Sequence, residues 1–131
     1  MKPNSCCSGN KKREVFNRII MVTLSSHLLN SVNGSHASNV DVIIYQIKSN
    51  GERKIFYETK TDSGGRLLKE FNLNEEDCKS DYEMVCKTGK YFSEEKIVSE
   101  ITIKFKMKDP NKKYHMPIII SPNGYSMWWS D

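Results

Sequence analysis

The chain has 131 residues and a net charge of +4, from 20 Lys and Arg against 16 Asp and Glu. That length suits one domain able to bury its own core without disulfide staples, and no run reaches the roughly 18 apolar residues that a membrane-crossing helix needs. The basic residues are scattered among acids, Lys11-Lys12-Arg13 is the one tight cluster, and no basic–aromatic interleaving marks a nucleic-acid surface, so neither nucleic acid nor membrane is an expected partner.

Residues 1–17 read as a disordered polar and basic leader, without the apolar segment of a secretory signal. Residues 18–131 read as one β domain built of short runs separated by turn residues. Residues 19–24 are β-rich, 31–39 form a Ser/Asn/Gly loop, and 40–47 alternate with β-branched residues. Ser49-Asn50-Gly51 is a hairpin signal leading to a strand at 54–61, and Asp62-Ser63-Gly64-Gly65 is the next turn. One short helix is expected, either at 73–78, where Asn74 can cap Glu75-Glu76-Asp77, or at 93–98. A strand follows at 82–87, closed by Gly89. Residues 101–107 place Ile101, Ile103, Phe105 and Met107 on one face and Thr102, Lys104 and Lys106 on the other. Asp109-Pro110-Asn111 ends that run, and strands at 118–120 and 125–129 finish the chain. Seven to eight short strands at regular spacing predict an all-β, two-sheet antiparallel sandwich.

Cys6, Cys7, Cys78 and Cys86 show no Cys-x-x-Cys spacing, so they read as free thiols in a reducing compartment. No metal ligand set and no cofactor motif is legible. The location expected is cytoplasmic, with peroxisomal as the alternative. The candidates for chemistry are His27, His36, His115 and Arg66. Singly, each reads most simply as a structural or surface residue.

Three sequence contexts change that. Near the end, Tyr114-His115-Met116-Pro117-Ile118-Ile119-Ile120-Ser121-Pro122-Asn123-Gly124-Tyr125-Ser126 combines a histidine, a buried β run and a Pro-Asn-Gly turn. It resembles the Tyr-His-Val-Pro-Leu-Leu-Leu-Ser-Pro-x-Gly-Tyr-Ser signature of the transthyretin-related 5-hydroxyisourate hydrolases. Leu24-Ser25-Ser26-His27-Leu28-Leu29-Asn30 resembles the family's Ser/Thr-His-Val-Leu-Asp motif at the end of its first strand. Thr61-Asp62-Ser63-Gly64-Gly65-Arg66 is similar to Thr-Asn-x-Asp-Gly-Arg at equal length. Tyr91-Phe92 and Ile97-Val98-Ser99-Glu100-Ile101 add weaker matches, so the resemblance runs from about residue 20 to 131.

The resemblance implies that 18–131 is a transthyretin-like sandwich with His27, Arg66 and His115 as the catalytic set, His27 and Arg66 also touching substrate. Transthyretin itself, the hormone carrier on this fold, has lysine, glutamate and threonine at those places. The implied reaction is opening of the 5-hydroxyisourate ring in purine (urate) catabolism, by water attack on a cyclic amide carbonyl, without metal or cofactor. The implied assembly is a homotetramer, a dimer of dimers. The residue types suit this chemistry: histidine can hold and release a proton near neutral pH, and arginine offers a permanent planar cation to an oxygen-rich ring.

The chain departs from the pattern in its tail. Where the family ends in Tyr-Arg-Gly-Ser, this chain has Trp128-Trp129-Ser130-Asp131. Trp128 takes the place of the substrate-contacting tyrosine and is expected to flank the substrate ring. The Trp pair reads equally as aromatic packing at a subunit interface. Asn30 stands for an aspartate, Gly64 for an aspartate, and His36 for a proline; His36 reads as a solvent-exposed loop residue. The alternative function is a non-catalytic transthyretin-like module that binds a small ligand.

Overall fold

Strict alternation makes the first strand. In the computed structural model, which describes residues 21–93 and 95–130, β1 (Val22–Asn30) buries Val22, Leu24, Ser26, Leu28 and Asn30 and turns Thr23, Ser25, His27 and Leu29 to the opposite face. The expected leader at 1–17, Cys6, Cys7, the basic cluster and Asp131 lie outside the described residues.

The same period of two recurs in β2 (Asp41–Ile47), β5 (Asp81–Cys86) and β6 (Ile101–Lys106). With β3 (Arg53–Lys60) these form one sheet in the order β3-β2-β5-β6. The other sheet has the order β4-β1-β7-β8, using β4 (Arg66–Phe71), β7 (Lys113–Ser121) and β8 (Gly124–Met127). All pairings are antiparallel except β1–β7, which runs parallel from Thr23↔Lys113 to Asn30↔Ile120. The core between the sheets is apolar: Leu24, Leu28, Val42, Ile44, Tyr82, Met84, Ile118 and Ile120 are fully buried.

Two short helices flank the sheets among the described residues, α1 (Glu75–Lys79) and α2 (Thr88–Tyr91). Asn74 caps α1 as expected, its side chain accepting from Asp77 N–H while Asp77 accepts from Asn74 N–H. A buried network ties α1 to the sheet. Gln46 Nε2 donates to Asp77 Oδ1 at 2.9 Å and to Tyr82 OH at 3.0 Å, and Tyr82 OH donates to Asp77 C=O at 2.8 Å. Cys78 and Cys86 are buried free thiols, and burial pushes the Cys86 thiol up to about 12, which leaves it unreactive near neutral pH.

Four details correct the sequence reading. The helix candidate at 93–98 is not one: Ile97 and Val98 N–H both donate to Pro122 C=O. The strand β4 is absent from the sequence reading, because Leu68 is 64% exposed and charged residues interrupt its alternation. The first strand extends past the β run expected at 19–24 and ends at Asn30, the last residue of the His27 motif. The strand expected at 118–120 begins earlier, at Lys113, and takes in Pro117 although proline cannot donate to the ladder. The Pro117 carbonyl still pairs, accepting from Trp128 N–H at 3.3 Å.

Candidate active site

The register of one sheet brings the three predicted residues together. Arg66, the first residue of β4, stands directly opposite His27 on β1. Ser25, two residues before His27 and on the same outer face, stands opposite His115 on β7. Residues opposite one another across neighbouring strands share a face about 5 Å apart. His27, Arg66 and His115 therefore share the outer face of the first sheet, away from the core. Arg66 and His115 are both close enough to depress the His27 pKa.

Arg66 is placed by a turn whose hydrogen bonds come from Asp62. Asp62 Oδ1 accepts from Gly64 N–H and Arg66 N–H, each at 2.9 Å, and Asp62 N–H donates to Arg66 C=O. These bonds and the neighbouring Arg66 charge hold the Asp62 carboxyl below its ordinary range. Gly65 takes φ +75, and a Cβ there would stand 2.5 Å from Leu28 O. Gly65→Ala should destabilise the fold by about 1–3 kcal/mol through backbone strain and this clash, and should displace Arg66. Urea denaturation and kcat/KM measured together check both effects.

Each histidine has a ring partner. His115 Nδ1 shares a 2.7 Å hydrogen bond with Ser25 Oγ, which leaves Nε2 to face a reactant. His27 Nε2 lies 3.0 Å from His36 Nδ1. Burial first, then Arg66, then His36 lower the His27 pKa below 6.5, while a main-chain hydrogen bond at Gly64 opposes them. His27 is thereby kept neutral, and so able to accept a proton, at neutral pH.

The tail closes against the same strand. His115 N–H donates to Ser130 C=O at 3.0 Å and Ser130 N–H to His115 C=O at 2.8 Å. The register puts Trp128 opposite Pro117, itself the partner of His27. Trp128 and Trp129 are about half exposed and border a groove of about 610 Å³ with Ile103, Phe105, Tyr114 and Met127. Trp129 packs on Tyr114, ring centroids 6.0 Å apart. Ser25, Ser130 and the His36 contact escaped the sequence reading. Only His36 left a signal there, as a titratable ring in place of a proline. Among the described residues no group of three or more His, Cys, Asp or Glu is placed to hold a metal ion, and no helix is long and apolar enough to cross a membrane.

The two four-stranded sheets and the C-terminal β7–β8 pair define a transthyretin-like protein. The HIUase/Transthyretin family model matches residues 24–129, and the chain belongs to that family. It is 33% identical over 108 residues to the 5-hydroxyisourate hydrolase of Salmonella dublin, covering 80% of this chain and 78% of that one. It is 28% identical over 112 residues to the 5-hydroxyisourate hydrolase of Halalkalibacterium halodurans, covering 80% and 94%. In fold it is similar to transthyretin from Sparus aurata, with TM-score 0.69, 19% identity and coverage of 82% of this chain and 95% of that one. It is also similar to (S)-allantoin synthase, with TM-score 0.73 and 21% identity, covering 86% of this chain but only 44% of that one.

Proposed function

We propose that this protein is a 5-hydroxyisourate hydrolase whose site is the His27–Arg66–His115 face. The observation that carries the reading is the register: three residues from three strands share one outer face, and an arginine and two histidines there fit no core-packing role. The 5-hydroxyisourate hydrolases among its relatives favour this over the small-ligand binding module.

The chemistry follows from the residues. A water held between His115 and His27 gives up a proton as its oxygen bonds to the cyclic amide carbonyl carbon. Arg66 orients the ring and stabilises the charge that builds on the carbonyl oxygen. The tetrahedral species collapses as the C–N bond breaks, and the histidine-held proton goes to the leaving nitrogen. The step therefore needs no redox partner and no covalent intermediate. Turnover is expected to persist in excess chelator, at a cytoplasmic location.

The assembly belongs to the same proposal. Strands β6 and β8 end their sheets at the groove that Trp128 and Trp129 border. Open strand edges beside exposed aromatics favour pairing with a second copy, consistent with a tetramer built as a dimer of dimers. Trp128 flanks the substrate ring in this account. Trp128→Ala should therefore raise KM more than it lowers kcat, and an unchanged KM would reduce Trp128 to interface packing. The function itself is tested with freshly generated 5-hydroxyisourate. The protein should clear it faster than it decays unaided, and decay at the spontaneous rate would instead favour the binding module.

A further inference from the structure

His36 is exposed, as expected of a loop residue, but it is not idle. Its Nδ1 lies 3.0 Å from His27 Nε2, and the two rings stack with centroids 5.1 Å apart and planes at 22°. The backbone holds it there. His36 bridges to Leu29 on β1, and the flanking bonds run from Ala37 N–H to Leu28 C=O at 2.9 Å and from Asn30 N–H to Ser35 C=O at 2.8 Å. His36 is therefore the non-hydrogen-bonded member of its bridge, and its own N–H plays no part in the ladder. A proline fits that position without loss, which accounts for the family residue and leaves the side chain open to change. On the other side Gly65 packs so close that a Cβ there would stand 3.2 Å from His36 Cβ. His36 is thus latched both to β1 and to the turn that carries Arg66.

We propose that His36 is a positioning residue for His27, clamping its ring and fixing which ring nitrogen carries the proton. A neutral imidazole has one N–H and one acceptor nitrogen. Across the 3.0 Å contact, one of His27 Nε2 and His36 Nδ1 carries the hydrogen and the other accepts it. Among the described residues, the other charged or titratable groups facing His27 are Arg66 from β4, His115 from β7 and Asp62 from the β3–β4 turn. Against three such neighbours, only His36 meets the ring at hydrogen-bond distance.

The kinetic part of this inference rests on the hydrolase reading; the ring geometry does not. Two variants separate the roles. His36→Phe keeps a stacked ring without nitrogens, and His36→Asn keeps an amide able to donate or accept near the Nδ1 position. His36→Phe should lower kcat about 10-fold with KM nearly unchanged, a fraction of what a whole acid–base group supplies. His36→Asn should restore most of that loss. Long-range ¹H–¹⁵N spectra of the His27 ring should show its tautomer disturbed in His36→Phe and retained in His36→Asn. Wild-type kcat and an unchanged His27 spectrum in both variants would overturn the proposal, as would equal losses in the two. If the wild type does not turn over 5-hydroxyisourate, the hydrolase reading falls, and the His27 spectra alone decide the role of His36.

Discussion

His115→Ala is expected to lower kcat by about 10²–10⁴-fold, the range for loss of a general base. The effect should fall on kcat and kcat/KM together, because the proton transfer exists only in the transition state. The fold should survive the change. His115 is on the outer face, and its main-chain bonds to Ser130 do not depend on the side chain. The Ser25 hydroxyl loses its 2.7 Å partner but is only part-buried, so water can replace it. Ser25→Ala should cost far less than His115→Ala, since it frees the ring without removing it. Steady-state kinetics on both variants, with a melting curve for each, check the ordering.

Arg66→Ala is the second large effect, with kcat/KM falling by about 10²–10³-fold through loss of one oxyanion-stabilising group. Arg66→Lys should recover only part of this, because an ammonium lacks the planar fork. The variant has a second signature in pH. Arg66 is, after burial, the strongest influence lowering the His27 pKa below 6.5. A base works only when neutral, so the part of the rate that depends on His27 should hold to somewhat below pH 6.5 before it falls. Without Arg66 the His27 pKa rises towards its ordinary value, and the acid limb of the rate profile moves to higher pH. The stability effect of the same wild-type shift has a definite sign. The unfolded chain binds the His27 proton more readily than the native one, so native stability declines as pH falls from about 6.5 through the native pKa.

Much of the sandwich was legible in the sequence, because half-buried strands write their burial as a period of two. The strands at 41–47 and 101–106 fall within a residue of expectation. β4 was not legible, because burial there is carried by Leu67 while Leu68 faces out. The parallel β1–β7 pair joins residues 90 apart, a non-local choice that no local period can encode. The candidate site divides along the same line. His27, Arg66 and His115 stand in recognisable motifs, and the sheet register puts them on one face. Their ring partners do not: Ser25 meets His115 only through the parallel pairing, and His36 meets His27 only because a loop bridges back to Leu29.

The central claim is that His27 and His115 act as one unit on a single water. A double-mutant cycle of His27→Ala and His115→Ala, read as kcat/KM for freshly generated 5-hydroxyisourate, tests it most directly. Residues that act as a unit are non-additive, so the account predicts a double variant scarcely slower than the worse single one. Losses that multiply, each histidine costing its full factor in the absence of the other, would contradict it.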